Sequence, residues 1–155
     1  MDFSKTTAGL RVHFYINWFL NGIMEVLFVC RANVGRSQMA TAFFNRLSKK
    51  NKAVGAGTHV GKHEGEQLHP FVVQCMSELG YDLSRNTRKQ LAPEMVKNAD
   101  KIIVMTKKEN LPDFVDMSKV VFWEIDDAKD KPLEFHRLIR DQIKSLVEKL
   151  VKEIE

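Results

Sequence analysis

Cysteine is scarce in this chain of 155 residues, where only Cys30 and Cys75 occur. Two thiols so far apart form neither a disulfide framework nor a metal-binding pair, which points to a reducing, cytoplasmic setting. Long hydrophobic runs are missing as well. The longest candidate, VHFYINWFL at residues 12–20, falls short of the roughly 20 apolar residues a membrane span needs, and Asn17, Asn21 and Glu25 interrupt it. Lys5 and Arg11 precede this run as in a signal peptide, but no small-residue cleavage pattern follows it. The chain also lacks a dense basic tract with interleaved aromatics, so no nucleic-acid platform is expected. No internal repeat or low-complexity segment is present.

The composition is that of one folded domain, 44% hydrophobic and 28% charged. The net charge is +4, which favours approach of anionic ligands. Residues 1–23 read as an N-terminal extension, and residues 24–155 as the domain proper.

Short apolar runs alternate with amphipathic segments. EVLFVC at residues 25–30 reads as a buried strand, and Ser37 to Lys50 as a helix with basic residues at its end. A second strand is expected near Ala53 to Thr58. His69–Pro70 opens a second helix, with Val72, Val73, Met76 and Leu79 facing inward and Gly80 as the stop. A short helix follows at residues 91–98, with Pro93 in its first turn. KIIVM at 101–105 and KVVFW at 119–123 complete four strands, Phe122 being expected in the core and Tyr81 in a partly exposed loop. A long helix from about Leu133 to Ile154 carries an apolar stripe that includes Leu138 and Ile143. Its Arg137 and Arg140 read as surface ion-pairing residues. This order predicts an α/β fold in three layers, a four-stranded parallel sheet with helices on both faces.

The most informative segment lies between the first strand and the first helix: Cys30, Arg31, Ala32, Asn33, Val34, Gly35, Arg36, Ser37. In an α/β sheet, that position lies beyond the carboxyl end of a strand, where ligands bind. Five residues between cysteine and arginine can wrap a tetrahedral oxyanion with inward-pointing N–H groups, at a helix N-terminus that already favours anions. Arg36 supplies a bidentate clamp. The same positive surroundings favour the thiolate of Cys30, and the Ser37 hydroxyl can donate to it. Asn33 and Gly35 suit a tight loop, and the Asn33 amide can brace it. A lone cysteine at a strand end is also, quite ordinarily, a small buried hydrophobe.

The stretch CRANVGRSQMATAFF resembles the signature of the low-molecular-weight protein tyrosine phosphatases and of the thioredoxin-coupled arsenate reductases sharing their fold. The resemblance runs from about Met24 to Leu150 and includes AGTHVG at 56–61, HPFVVQCMSELGYDLS at 69–84 and FHRLIRDQI at 135–143. It implies the phosphotyrosine protein phosphatase I-like fold and hydrolysis of a phosphorylated protein or small aryl phosphate. The route it implies is a cysteinyl-phosphate on Cys30, with Arg36 binding the phosphoryl group and no metal or organic cofactor. It further implies a general acid in the loop after the last strand. Asp127 fits that position, Asp126 is the alternative, and Asp130 fits less well. Ala128 stands where the family has proline, which predicts a looser loop, and the aromatic that often follows is replaced by Lys129 and Asp130. Gly35 occupies the place of a second loop cysteine. Arg31 after the nucleophile suits an acidic or multiply phosphorylated substrate. No oligomeric state follows from the resemblance.

Arsenate has the shape and charge of phosphate, so arsenate reduction with an external thiol is the alternative activity. The internal thiol relay of the thioredoxin-coupled enzymes has no counterpart in VMTKKENLP at 104–112, where Thr106 takes the first relay position. Cys75 reads as a buried structural thiol. A non-catalytic phosphate- or phosphoprotein-binding module is a third reading. The histidines His13, His59, His63, His69 and His136 show no metal-site spacing.

Overall fold

The computed structural model describes residues 22–155. The proposed extension, residues 1–23, falls almost wholly outside them. Four strands, β1 (Glu25–Cys30), β2 (Lys52–Gly57), β3 (Lys101–Val104) and β4 (Val120–Phe122), form one parallel sheet in the order β2-β1-β3-β4. Val26 of β1 faces Ala53 on one side and Lys101 on the other. As a central strand, β1 is buried from Val26 onward, which explains its unbroken apolar run. Its side chains alternate between two cores. Val26, Phe28 and Cys30 enter one, and Leu27 and Val29 enter the other.

The first core is covered by α1 (Arg36–Leu47), α2 (Pro70–Ser77) and α4 (Leu133–Ile154). Phe28, Phe43 and Phe44 are fully buried there, each contributing about 1.5–3 kcal/mol. The second core is closed by α3 (Pro93–Asn98) through Val96, with Ala99 just past its end. The three-layer arrangement is therefore the one the alternating pattern predicts. Among the described residues, no helix is long and apolar enough to cross a membrane.

Several side chains lie elsewhere than the sequence suggests. Phe122 is 46% exposed because β4 is a three-residue edge strand with cover on one side only. Trp123 takes the inward place, its ring 5.7 Å from that of Phe28. Leu79 falls beyond the end of α2 and is exposed, and Leu138 lies on the outer side of α4. Tyr81 is buried, its ring edge-on to Phe43 and capped by the Arg46 guanidinium at 3.5 Å. Arg137 pairs with Glu78 at 2.7 Å, as a surface residue would. Arg140 instead is buried, donating to the Cys75 carbonyl and pairing with Glu78 and Asp141. Cys75 lies in the first core, where burial pushes its thiol up against the opposing pull of Arg140.

Candidate active site

The segment from Cys30 to Ser37 bridges the carboxyl end of β1 and the N-terminus of α1. Two features hold it there. The β1–β2 ladder continues past the strands, with the N–H groups of Thr58 and His59 donating to the carbonyls of Cys30 and Arg31. Gly57, opposite Cys30, lets the loop lie against β2. A Cβ at Gly57 would stand 2.7 Å from the Arg31 carbonyl oxygen and 2.8 Å from the Asn33 nitrogen.

Asn33 organises the loop. It is buried and left-handed, with φ 53°. Its Oδ1 accepts from the Lys89 main-chain N–H at 2.8 Å and from Gln38 Nε2 at 2.9 Å. Two donors on one atom fix the amide orientation. Nδ2 must then point the other way, and it donates to Ser37 Oγ at 2.6 Å. With that lone pair engaged, the Ser37 proton is free for the Cys30 sulfur 3.0 Å away. The Asn33 main-chain N–H approaches the same sulfur at 3.3 Å. The sulfur thus meets two donors and sits beside a helix start that has no acidic residue in its first turn and no side-chain cap at Gly35.

Arg36, the first residue of α1, is anchored at Nη1 by the carbonyls of Met105 and Ile125. Its Nη2 lies 3.5 Å from Asp127 Oδ2. Anchoring one nitrogen to main chain leaves the Nε–Nη2 edge, the bidentate face of the guanidinium, to meet an oxyanion.

These groups share one cleft of about 800 Å³, lined by Cys30, Arg31, Ala32, Val34, Gly35, Arg36 and Asp127 among others. Asn33 and Ser37 are buried behind it. Asp127 lines the cleft, whereas Asp126 does not; Asp130 does. The loop carrying them is braced despite the absence of proline. Asp127 Oδ1 accepts the Lys129 N–H at 3.0 Å, and the Ala128 carbonyl accepts the Lys131 N–H at 3.0 Å. Asp130 turns the chain with φ 62°.

His59, His63, His69 and His136 also line this cleft. The His69 ring caps α2 by accepting the Phe71 N–H and stacks on His136 with centroids 5.4 Å apart. Burial chiefly, then His69, holds His136 below the usual imidazole range; the Lys131 main chain and Asp127 pull it back up. Among the described residues, no group of three or more His, Cys, Asp or Glu side chains could hold a metal ion.

Several contributors were not legible in the sequence. Gln38, Lys89 and Arg88, which donates from Nε to the Ala32 carbonyl at 3.0 Å, reach the loop from helix α1 or from far along the chain. No local pattern marks Lys89 or Arg88. For His69, the His–Pro pair at a helix start was a usable signal.

Residues 25–155 match the family model described as low molecular weight phosphotyrosine protein phosphatase. A putative arsenate reductase of Halobacterium salinarum is 34% identical over 134 residues, covering 81% of this chain and 89% of that protein. A glutaredoxin arsenate reductase of Synechocystis is 33% identical over 132 residues, covering 84% and 98%. Among solved structures, the low molecular weight protein tyrosine phosphatase of T. tengcongensis superposes with a TM-score of 0.76. It is 28% identical, with 84% of this chain and 99% of that chain covered.

Proposed function

Because the chain belongs to the low molecular weight phosphotyrosine protein phosphatase family, we propose that it hydrolyses aryl phosphate monoesters, phosphotyrosine in proteins included, through a phosphocysteine at Cys30. The observation that carries this reading is the Asn33–Ser37–Cys30 chain of hydrogen bonds at the bottom of a cleft that also holds Arg36 and Asp127. In the first step, the Cys30 thiolate attacks phosphorus. The loop amides and Arg36 hold the non-bridging oxygens, and Asp127 gives its proton to the departing oxygen. In the second, the Asp127 carboxylate takes a proton from water as that water attacks the phosphocysteine, releasing phosphate and the thiolate.

The test is phosphate release from an aryl phosphate under reducing, metal-free conditions. The intact protein turns over, and Cys30→Ser does not. An intact protein that binds phosphate or vanadate but releases no phosphate would reject hydrolysis and leave an anion receptor.

The names of the curated relatives favour a second reading, arsenate reduction. Cys30 would displace hydroxide or water from arsenate to form an S–As bond. An external thiol would then attack the Cys30 sulfur, giving a mixed disulfide and leaving the bonding pair on arsenic as As(III). That thiol must come from outside, because Cys75 is buried and does not line the cleft. Arsenate-dependent consumption of a small thiol or a glutaredoxin-type protein measures this activity separately from phosphate release.

A further inference from the structure

The cleft carries more positive charge than one phosphoryl group requires. Its lining includes five arginines and lysines against two carboxylates, Asp127 and Asp130. The whole chain has a formal excess of only four positive charges, so most of that excess is concentrated at one cleft. Two of the five cations are committed. Arg36 is held by two carbonyls and lies beside Asp127, and Arg88 is tied to the Ala32 carbonyl and Glu66.

The other three are Arg31, Lys129 and Lys131. All are exposed, and among the described residues none has a carboxylate partner. The Lys131 ammonium lies 5.7 Å from the Phe135 ring centre. Their positions matter as much as their charge. Arg31 follows the nucleophile directly, and Lys129 and Lys131 follow the candidate acid. The leaving group must sit between nucleophile and acid, so these cations flank whatever it is attached to. The lysines are held in place by the paired turns of the 127–131 loop. A cleft of about 800 Å³ also has room for more than one phosphorylated side chain.

We propose that Arg31, Lys129 and Lys131 form an anion subsite that selects phosphotyrosine segments with acidic residues beside the phosphorylated position. This inference rests on the phosphatase reading above and names its substrate class. Exposed charges contribute modestly one by one but act together on a polyanion, and they are screened by salt.

The test uses two synthetic phosphotyrosine peptides that differ only in Glu or Gln on either side of the phosphotyrosine, with a small aryl phosphate as reference. At low salt the Glu peptide is expected to show about tenfold higher kcat/KM than the Gln peptide. Lys129→Gln combined with Lys131→Gln should cut that ratio to roughly threefold or less, as should high salt, while aryl phosphate turnover changes little. Equal turnover of the two peptides, with aryl phosphate still hydrolysed, would overturn the subsite and leave the phosphatase reading intact. So would a preference undiminished in the double variant. Binding of both peptides to the Cys30→Ser protein is measured alongside. If nothing is hydrolysed, preferential binding of the Glu peptide still supports the subsite, and equal binding overturns it together with the phosphatase reading.

Discussion

Asn33 Nδ2 donates to Ser37 Oγ at 2.6 Å, and so positions the hydroxyl that lies against the Cys30 sulfur. That bond occupies one lone pair of the serine oxygen and leaves its proton available to the Cys30 sulfur 3.0 Å away. Gln38 and the Lys89 main chain fix the Asn33 amide from its other end. The surroundings of the Cys30 sulfur are therefore set by Asn33, Ser37 and Gln38, none of which lines the cleft.

Ser37→Ala removes a charge-assisted hydrogen bond of about 1.5–3 kcal/mol from the thiolate. Alkylation of Cys30 by iodoacetamide at a fixed pH should slow by roughly tenfold or more as that bond is lost. Asn33→Ala should slow it too, while Gln38→Ala, one shell further out, has a smaller effect. An alkylation rate unchanged in Ser37→Ala would remove the serine from the account.

Gly57→Ala forces a methyl group to 2.7 Å from the Arg31 carbonyl oxygen, against the main chain of the Cys30–Ser37 loop. Overpacking of this kind costs about 1–3 kcal/mol. Urea denaturation should show that loss, and kcat/KM should fall with it because the cradle itself is displaced. Wild-type stability in the variant would mean the loop moves away freely.

Asp127 and Asp126 are neighbours in sequence, but only Asp127 lines the cleft. Asp127→Asn should lower kcat for a poor leaving group by about 10²–10⁴-fold. Asp126→Asn should stay within about twofold, as a solvated loop residue would. The reverse pattern would move the acid role to Asp126.

His136 is buried with Nδ1 unpartnered, and its proton affinity is lowered in the folded state. The unfolded chain binds that proton more readily, so stability falls as pH drops through the ordinary imidazole range and towards the folded value. His136→Phe keeps the ring packing and removes the titration. Between pH 7.5 and 5.5, its stability to urea should fall less steeply than that of the parent. Parallel slopes would show that His136 is not the linked group.

The fold was legible because its signals are local. Apolar runs of strand length, the glycine stop after α2 and the proline at the start of α3 are each read from a few adjacent residues. The loop from Cys30 to Ser37 was legible for the same reason, and its Asn33 brace was visible as a residue type suited to left-handed backbone. What escaped depends on which strand lies at the edge and which distant segment arrives. Phe122 reads as core until β4 proves to be an edge strand. Tyr81 reads as loop until Arg46 closes over it. Asn33's partner Lys89 contributes only a main-chain N–H, a group every residue but proline carries, so no residue choice could advertise it.

The central claim is covalent: the phosphoryl group passes through Cys30. The most direct measurement is rapid acid quench of the protein turning over an aryl phosphate, followed by peptide mass spectrometry, with Asp127→Asn used to slow release of the intermediate. The account predicts one phosphoryl group on the peptide containing Cys30, absent in Cys30→Ser. Undiminished phosphate release from Cys30→Ser, or phosphorylation at another residue, would contradict it.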